Sequence, residues 1–386
     1  LLLSALYEST AHRRVLIASA NTGGGHRSAA LALADSMSYL APGWVGVFIE
    51  PVLEEASWLT RHLAEFYNYL LRHHQPWMKY YFELIQKLRP NESHLLFKAI
   101  LGYGHRLLTR ICPSVIVSVH PMTQHFFGYL IRRFGLRIPL ITVVTDPCAG
   151  FWRGWACHDV ERYVVASASA CQQLLAYGIP AQKVQILGMP VHRRFMPVAP
   201  QQRAALRQAM GLAPDRLTVF LNAGWIGGGN IPRLYQTLSQ QANWPVELVF
   251  LAGKNAALYA EAKQWAAYTS LPVHVLGETE EMHRWMQAAD LMVSKLGGLT
   301  TFEALACHLP VLGDALTAPM PQEAQTVKFI QETGTGLVIR REEDLLAMVQ
   351  KSLDAPEFLE GFRQNARQVA LQGATDRIAK MVLETI

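Results

Sequence analysis

The sequence predicts an α/β fold made of two doubly wound, parallel-sheet domains. Short apolar runs alternate with helical stretches along the chain, the pattern of repeated β-α-β units. Several runs end in glycine-rich turns that open a helix. With 386 residues and a hydrophobic fraction of 51%, the chain has material for two cores of ordinary domain size.

The first element is Arg13 to Ala20 (RRVLIASA), an apolar run suited to a buried parallel strand. It leads into Asn21-Thr22-Gly23-Gly24-Gly25-His26, which is neither a dinucleotide fingerprint nor a P-loop. Bare backbone at Gly24 and Gly25 serves where something must approach closely. A histidine at a helix mouth is kept neutral by the positive end of the dipole, so His26 is a candidate proton acceptor. Trp44 to Glu50 forms the second strand.

Residues 55–110 then read as a helical insertion rich in aromatics and bases, with Trp58, Trp77 and Tyr80 beside Arg72, Lys79, Lys87 and Arg89. Trp58 to Arg110 holds 8 Lys and Arg against 3 Asp and Glu. Aromatic and basic residues together settle at membrane interfaces, so these seven are candidate membrane contacts. The plain alternative is a helical insertion whose aromatics pack in the core.

Strands resume at Ser114 to His120, Pro139 to Asp146, Glu161 to Ser167 and Val184 to Gly188. His120, Gln124 and Asp146 fall at strand ends, on the rim that holds His26. Asp146 could orient His26, act as base itself, or cap a turn. Met196 to Arg216 shows no strand pattern and is taken as the boundary, dividing domains 1–199 and 200–386, with the last helix free to pack back on the first.

The second series is Leu217 to Gly224, Val246 to Gly253, Leu271 to Gly277, Asp290 to Lys295, Leu309 to Gly313 and Leu337 to Arg340. Gly227 and Gly228 lie in the turn after its first strand. Ser294-Lys295-Leu296-Gly297-Gly298-Leu299-Thr300-Thr301-Phe302-Glu303 leaves a strand and enters a helix that Thr300 and Thr301 can cap. Such a turn offers N–H groups to an anion, and Glu303 can accept hydrogen bonds from the vicinal hydroxyls of a ribose. Gln322 and Glu323 follow the next strand on the same edge. Phosphate and ribose together point to a nucleotide, bound where two facing domains form a cleft.

Composition excludes several classes. No stretch is long and apolar enough for a membrane span, and Leu1 to Tyr7 is too short for a secretory signal core, so a cytosolic chain is expected. The five scattered cysteines form no disulfide or zinc pattern; Cys148, Cys157 and His158 match no structural zinc spacing. Residues 1–200 carry 19 Lys and Arg against 11 Asp and Glu, and residues 201–386 carry 16 against 19, so the basic character belongs to the first half. No nucleic-acid module accompanies it. No D-x-D pair occurs, so no divalent metal is expected on a diphosphate, and no cofactor is implied.

The ordered set GGGHRSA at 23–29, HPMTQH at 120–125, TVVTD at 142–146, RYVVAS at 162–167, LGMPV at 187–191, GGLTTFEAL at 297–305 and PQE at 321–323 resembles one family. It is the monogalactosyldiacylglycerol synthase and processive diacylglycerol glucosyltransferase family, related to the GlcNAc transferase of peptidoglycan synthesis. The resemblance implies a GT-B fold and inverting transfer of a hexose from a UDP-sugar to the free hydroxyl of diacylglycerol; with such a lipid acceptor and the basic-aromatic insertion, a peripheral protein on the cytoplasmic face of an anionic membrane is expected. The resemblance also implies His26 as base, Gly298, Leu299 and Thr300 at the diphosphate, Glu303 at the ribose, and Gln322 and Glu323 at the donor sugar. Trp152 stands where the family usually has a histidine, Met320 precedes Pro321-Gln322-Glu323 where it has P-G-Q-E, and Thr326 replaces an asparagine. A nucleotide-sugar epimerase of the same fold and a non-catalytic nucleotide-sugar or lipid-binding protein are the alternatives.

Overall fold

A computed structural model describes residues 13–22, 24–74, 77–225, 227–317, 319, 321–370 and 372–386, with backbone only at 72, 73, 321 and 322. Leu1 to Tyr7, Gly23 and Met320, and the side chains of Arg72 and Gln322, therefore lie outside the described residues. Contacts divide the chain into two units, Leu1–Arg193 with Gly373–Ile386, and Arg194–Gln372.

In the first unit, β1 (Arg13–Ser19), β2 (Val45–Pro51), β3 (Val115–Ser118), β4 (Leu140–Val143), β5 (Arg162–Val165) and β6 (Val184–Ile186) form one parallel sheet in the order β2-β1-β3-β4-β5-β6. Alternate residues of β1 feed opposite faces. Leu16 and Ala18 join Phe126, Phe127 and Trp155 on one side, while Val15 and Ile17 join Leu33, Met37 and Ile378 on the other. A strand covered on both faces has to be apolar throughout, which is why RRVLIASA does not alternate.

In the second unit, β7 (Leu217–Asn222), β8 (Val246–Leu251), β9 (Val273–Leu276), β10 (Leu291–Ser294), β11 (Val311–Asp314) and β12 (Gly336–Ile339) make a parallel sheet in the order β12-β11-β10-β7-β8-β9. Phe220, Val249 and Met292 pack on one face, and Val219, Leu221 and Phe250 on the other. Each sheet thus grows outward in both directions from its first strand, placing a topological switch point between β1 and β3 and another between β7 and β10.

The expected boundary at 199/200 is corrected to Arg193/Arg194. The stretch read as linker contains the helix Pro200–Ala209, anchored within the second unit. Arg203 donates to the carbonyls of Gln287, Ala288 and Ala289, and both Arg203 and Arg207 reach Asp290 (2.6 and 3.1 Å). The terminal helix Ala374–Leu383 belongs to the first unit, burying Ile378, Ala379 and Val382, and Ser36 Oγ donates to its Asp376 (2.6 Å). Among the described residues no helix is long and apolar enough to cross a membrane.

Candidate functional site

The first constellation gathers at the β1/β3 switch point. Gly24 has φ 83°, a left-handed conformation that glycine adopts without strain, and it turns the chain from β1 into the helix Gly25–Leu40. His26 thereby sits in the first turn, partly exposed. Its Nδ1 lies 2.8 Å from the Val119 carbonyl after β3 and 2.8 Å from Thr145 Oγ1 after β4. A carbonyl only accepts, so Nδ1 carries the proton and Nε2 of the neutral ring keeps its lone pair.

His120 packs edge-on against His26, with ring centroids 4.5 Å apart. Its Nδ1 accepts from the Met122 N–H (3.2 Å), so Nε2–H donates to Thr22 Oγ1 (2.9 Å). Both of its nitrogens are engaged and only 5% of its surface is exposed, so His120 supports the ring of His26 and does not face an acceptor.

Asp146 accepts the Trp155 indole N–H at 2.7 Å. Burial raises its carboxyl above the ordinary range, against the opposing pull of the Trp155 bond and of His26. His26 is lowered by burial, and the Asp146 charge and the Val119 carbonyl pull it partly back. His120 is held well below an ordinary imidazole by burial and by His26. The group therefore favours uncharged rings.

Gln124 requires a correction. Assigned to the acceptor side, it is fully buried, donating to the carbonyls of Gly154 (2.8 Å) and Trp155 (2.9 Å) and accepting from Ser118 (3.1 Å). It holds the turn that presents Trp155 to Asp146. Gly24 and Gly25 stay partly exposed at the rim.

The second constellation occupies the β7/β10 switch point. Gly227, with φ 71°, turns against β8 so closely that a Cβ there would sit 2.2 Å from the Ala252 carbonyl. At Gly229 a Cβ would lie 2.7 Å from Cε of Lys295, so the lysine stem occupies the space that glycine leaves. Burial lowers Lys295, and Glu323 and Asp314 pull it back up. Asp314 also takes two 3.1 Å hydrogen bonds from Asn230, tying the glycine turn to the end of β11. Sequence reading missed this tie because Asn230 and Asp314 lie 84 positions apart and meet only through the sheet.

The helix Gly298–Ala306 opens after Gly297 with no side-chain cap. The expected capping by Thr300 and Thr301 is corrected, since both lie inside the helix and the Thr301 hydroxyl donates back to the Gly297 carbonyl (3.0 Å). The N–H groups of Gly298, Leu299 and Thr300 are left for an outside acceptor. Glu303, 8% exposed, has no hydrogen-bond partner for its carboxylate among the described residues, and burial pushes it up to about 7. A buried carboxylate without a donor is energetically costly. Among the described residues no three His, Cys, Asp or Glu side chains converge as a metal site.

The insertion exposes its aromatics. Trp58 (74%), Leu63 and Phe66 project from the helix Trp58–His73, and Trp77, Tyr80 (66%), Leu84 and Leu88 from or beside the helix Met78–Leu88. Tyr67 and Tyr81, with centroids 5.6 Å apart, join the two helices. Trp58, Phe66, Trp77 and Tyr80 thus lie outside the core, whereas Phe97 of the same insertion is buried in it.

The electrostatics of His26 can be measured directly. NMR titration of its imidazole is expected to give a midpoint below that of an ordinary histidine. Asp146→Asn removes the charge that raises it and should move the midpoint lower still; a rise in this variant contradicts the assignment.

Comparison with known proteins agrees with the motif reading. The family model for monogalactosyldiacylglycerol (MGDG) synthase matches residues 26–191. A probable monogalactosyldiacylglycerol synthase 2 of Oryza sativa subsp. japonica is 28% identical, covering 86% of this chain and 71% of the relative. The processive diacylglycerol beta-glucosyltransferase of Bacillus subtilis (strain 168) is 27% identical over 97% of this chain and 95% of its own. The crystal structure of Acinetobacter baumannii MurG superposes with a TM-score of 0.60 at 16% identity, covering 97% of this chain and 99% of that one. Family model and relatives make this chain similar to the monogalactosyldiacylglycerol synthases and processive diacylglycerol glucosyltransferases, and its fold is GT-B.

Proposed function

We propose that this chain is a UDP-sugar-dependent hexosyltransferase that glycosylates the free hydroxyl of diacylglycerol with inversion, working as a peripheral protein on the cytoplasmic face of a membrane. The observation that carries the chemistry is the fixed tautomer of His26. Its Nε2 takes the acceptor proton as the hydroxyl oxygen bonds to the anomeric carbon, and the bond from that carbon to UDP breaks. The new imidazolium is stabilised by Asp146, whose charge favours it. Charge gathering on the leaving diphosphate meets the uncapped N–H groups of Gly298, Leu299 and Thr300 and the Lys295 ammonium. Glu303 takes the ribose hydroxyls, Gln322 and Glu323 the donor sugar.

An epimerase of the same fold is less well supported, because the sequence relatives are transferases and an apolar helical face serves no purpose for a water-soluble nucleotide sugar. Incubating the protein with a UDP-hexose and diacylglycerol in phospholipid vesicles should give a glycolipid of inverted anomeric configuration. An epimerised nucleotide sugar, no product, or a retained anomer overturns the proposal.

Glu303 links donor binding to pH. Its folded carboxyl is raised to about 7 in the empty site, and ribose hydroxyls donating to it favour the charged form, so binding releases a proton. UDP-glucose, whose diphosphate does not titrate near neutrality, should bind more tightly as pH rises through about 7. Glu303→Ala should cost about 1–3 kcal/mol and flatten that dependence. Equal calorimetric affinities for variant and wild type remove Glu303 from the site.

Docking is expected to have two parts. Aromatic and leucine side chains of 58–88 enter the interface, while the bases each contribute about 1 kcal/mol beside anionic lipid. Sedimentation with anionic vesicles should exceed that with neutral ones and weaken in salt. Serine at Arg72, Lys79, Lys87 and Arg89 together should abolish the anionic preference and spare UDP binding. Undiminished sedimentation would move the membrane face elsewhere.

A further inference from the structure

The loop that presents His26 is fastened at both backbone groups of a single residue. The Asn21 N–H donates to Glu54 Oε1 (2.9 Å), and the Asn21 carbonyl accepts from Asn68 Nδ2 (2.9 Å). Glu54 lies on the short helix Val52–Ala56 that follows β2, and Asn68 on the helix Trp58–His73, which also exposes Trp58, Leu63 and Phe66. Neither residue stands out in the sequence.

The corner between these helices is stiff. Ser57 and Thr60 form a reciprocal capping box, with the Thr60 N–H on Ser57 Oγ (3.2 Å) and the Ser57 N–H on Thr60 Oγ1 (3.1 Å). Arg61 Nε donates to the Glu54 carbonyl across the same corner (2.9 Å). A displacement of the exposed helix is therefore carried to Asn21. The chain beyond Asn21 is glycine-rich in sequence, so ties at Asn21 add to those of Thr22 with His120 and of His26 with Val119. Among the described residues Glu54 Oε2 is buried without a partner, so the Asn21 N–H on Oε1 is the carboxylate's hydrogen bond there.

We propose that Asn68 and Glu54 are positioning residues that couple the seating of the helix Trp58–His73 on a bilayer to the geometry of the His26 loop, so that the base is set when the protein docks. The inference rests on the membrane reading above. A base displaced by about 1 Å can lose on the order of a hundredfold in rate, so a tie of this kind has kinetic weight.

The test uses the full chain with vesicles of anionic phospholipid containing diacylglycerol, and reads amide hydrogen exchange at Asn21, Thr22 and His26 beside steady-state kinetics. Wild type should gain protection on docking by about tenfold or more. Asn68→Asp is close in shape but has no donor; it should sediment normally, lose the gain, and show a reduced kcat with KM for the UDP-hexose unchanged. Glu54→Gln keeps an acceptor and should behave as wild type, whereas Glu54→Leu should match Asn68→Asp. Asn68→Ser serves if the aspartate variant melts at a lower temperature than wild type. The proposal is overturned if wild type docks with no change in exchange, if neither Asn68 variant loses the gain, or if Glu54→Leu keeps it. A wild type that transfers no sugar overturns the transferase reading alone, because exchange does not depend on turnover.

Discussion

Each sheet is wound outward in both directions from its first strand, and this topological constraint decides where chemistry can sit. Parallel strands bring their carboxyl ends to one edge, and crossovers that leave in opposite directions open a gap there. In the first unit the gap after β1 and β3 receives His26 and the Val119 carbonyl, and in the second the gap after β7 and β10 receives the glycine turn and Lys295. Side chains far apart in sequence meet because the strands before them are neighbours.

The two constellations share an electrostatic character. Burial lowers His26 and Lys295 and raises Asp146 and Glu303, so these four groups are all pushed towards their uncharged forms. Without ligand this is unfavourable. In the function proposed above, a diphosphate, a ribose and an acceptor hydroxyl would supply the opposite charges and donors, so that binding energy is used where charge develops. The exposed aromatic residues on helices 58–88 fit the same proposal, in which an acceptor with long acyl chains is met at a lipid surface.

Much of this was legible in the sequence, for physical reasons. The strands announce themselves because doubly covered strands must be apolar throughout, and GGGH and GGLTT show bare backbone where helices begin. Other features depend on long-range partners. The helix Pro200–Ala209 is held by Arg203 and Arg207 reaching Asp290, more than eighty positions away, so no local pattern separates it from a linker. Gln124 lies beside the rim in sequence, yet its side chain turns inward to the carbonyls of Gly154 and Trp155. Composition identified the aromatics of the insertion, but only packing shows that Trp58, Phe66, Trp77 and Tyr80 face outward while Phe97 is buried.

The central claim is that His26, with Nδ1 committed to the Val119 carbonyl, is the base, and Asp146 only tunes and orients it. Turnover of His26→Ala beside Asp146→Asn, on one vesicle substrate across pH, tests this most directly. The account predicts a loss of about 10² to 10⁴ for His26→Ala. For Asp146→Asn it predicts a smaller loss, with the acid limb of kcat/KM moved to lower pH. A severe loss in Asp146→Asn with a mild one in His26→Ala would contradict it and make Asp146 the base.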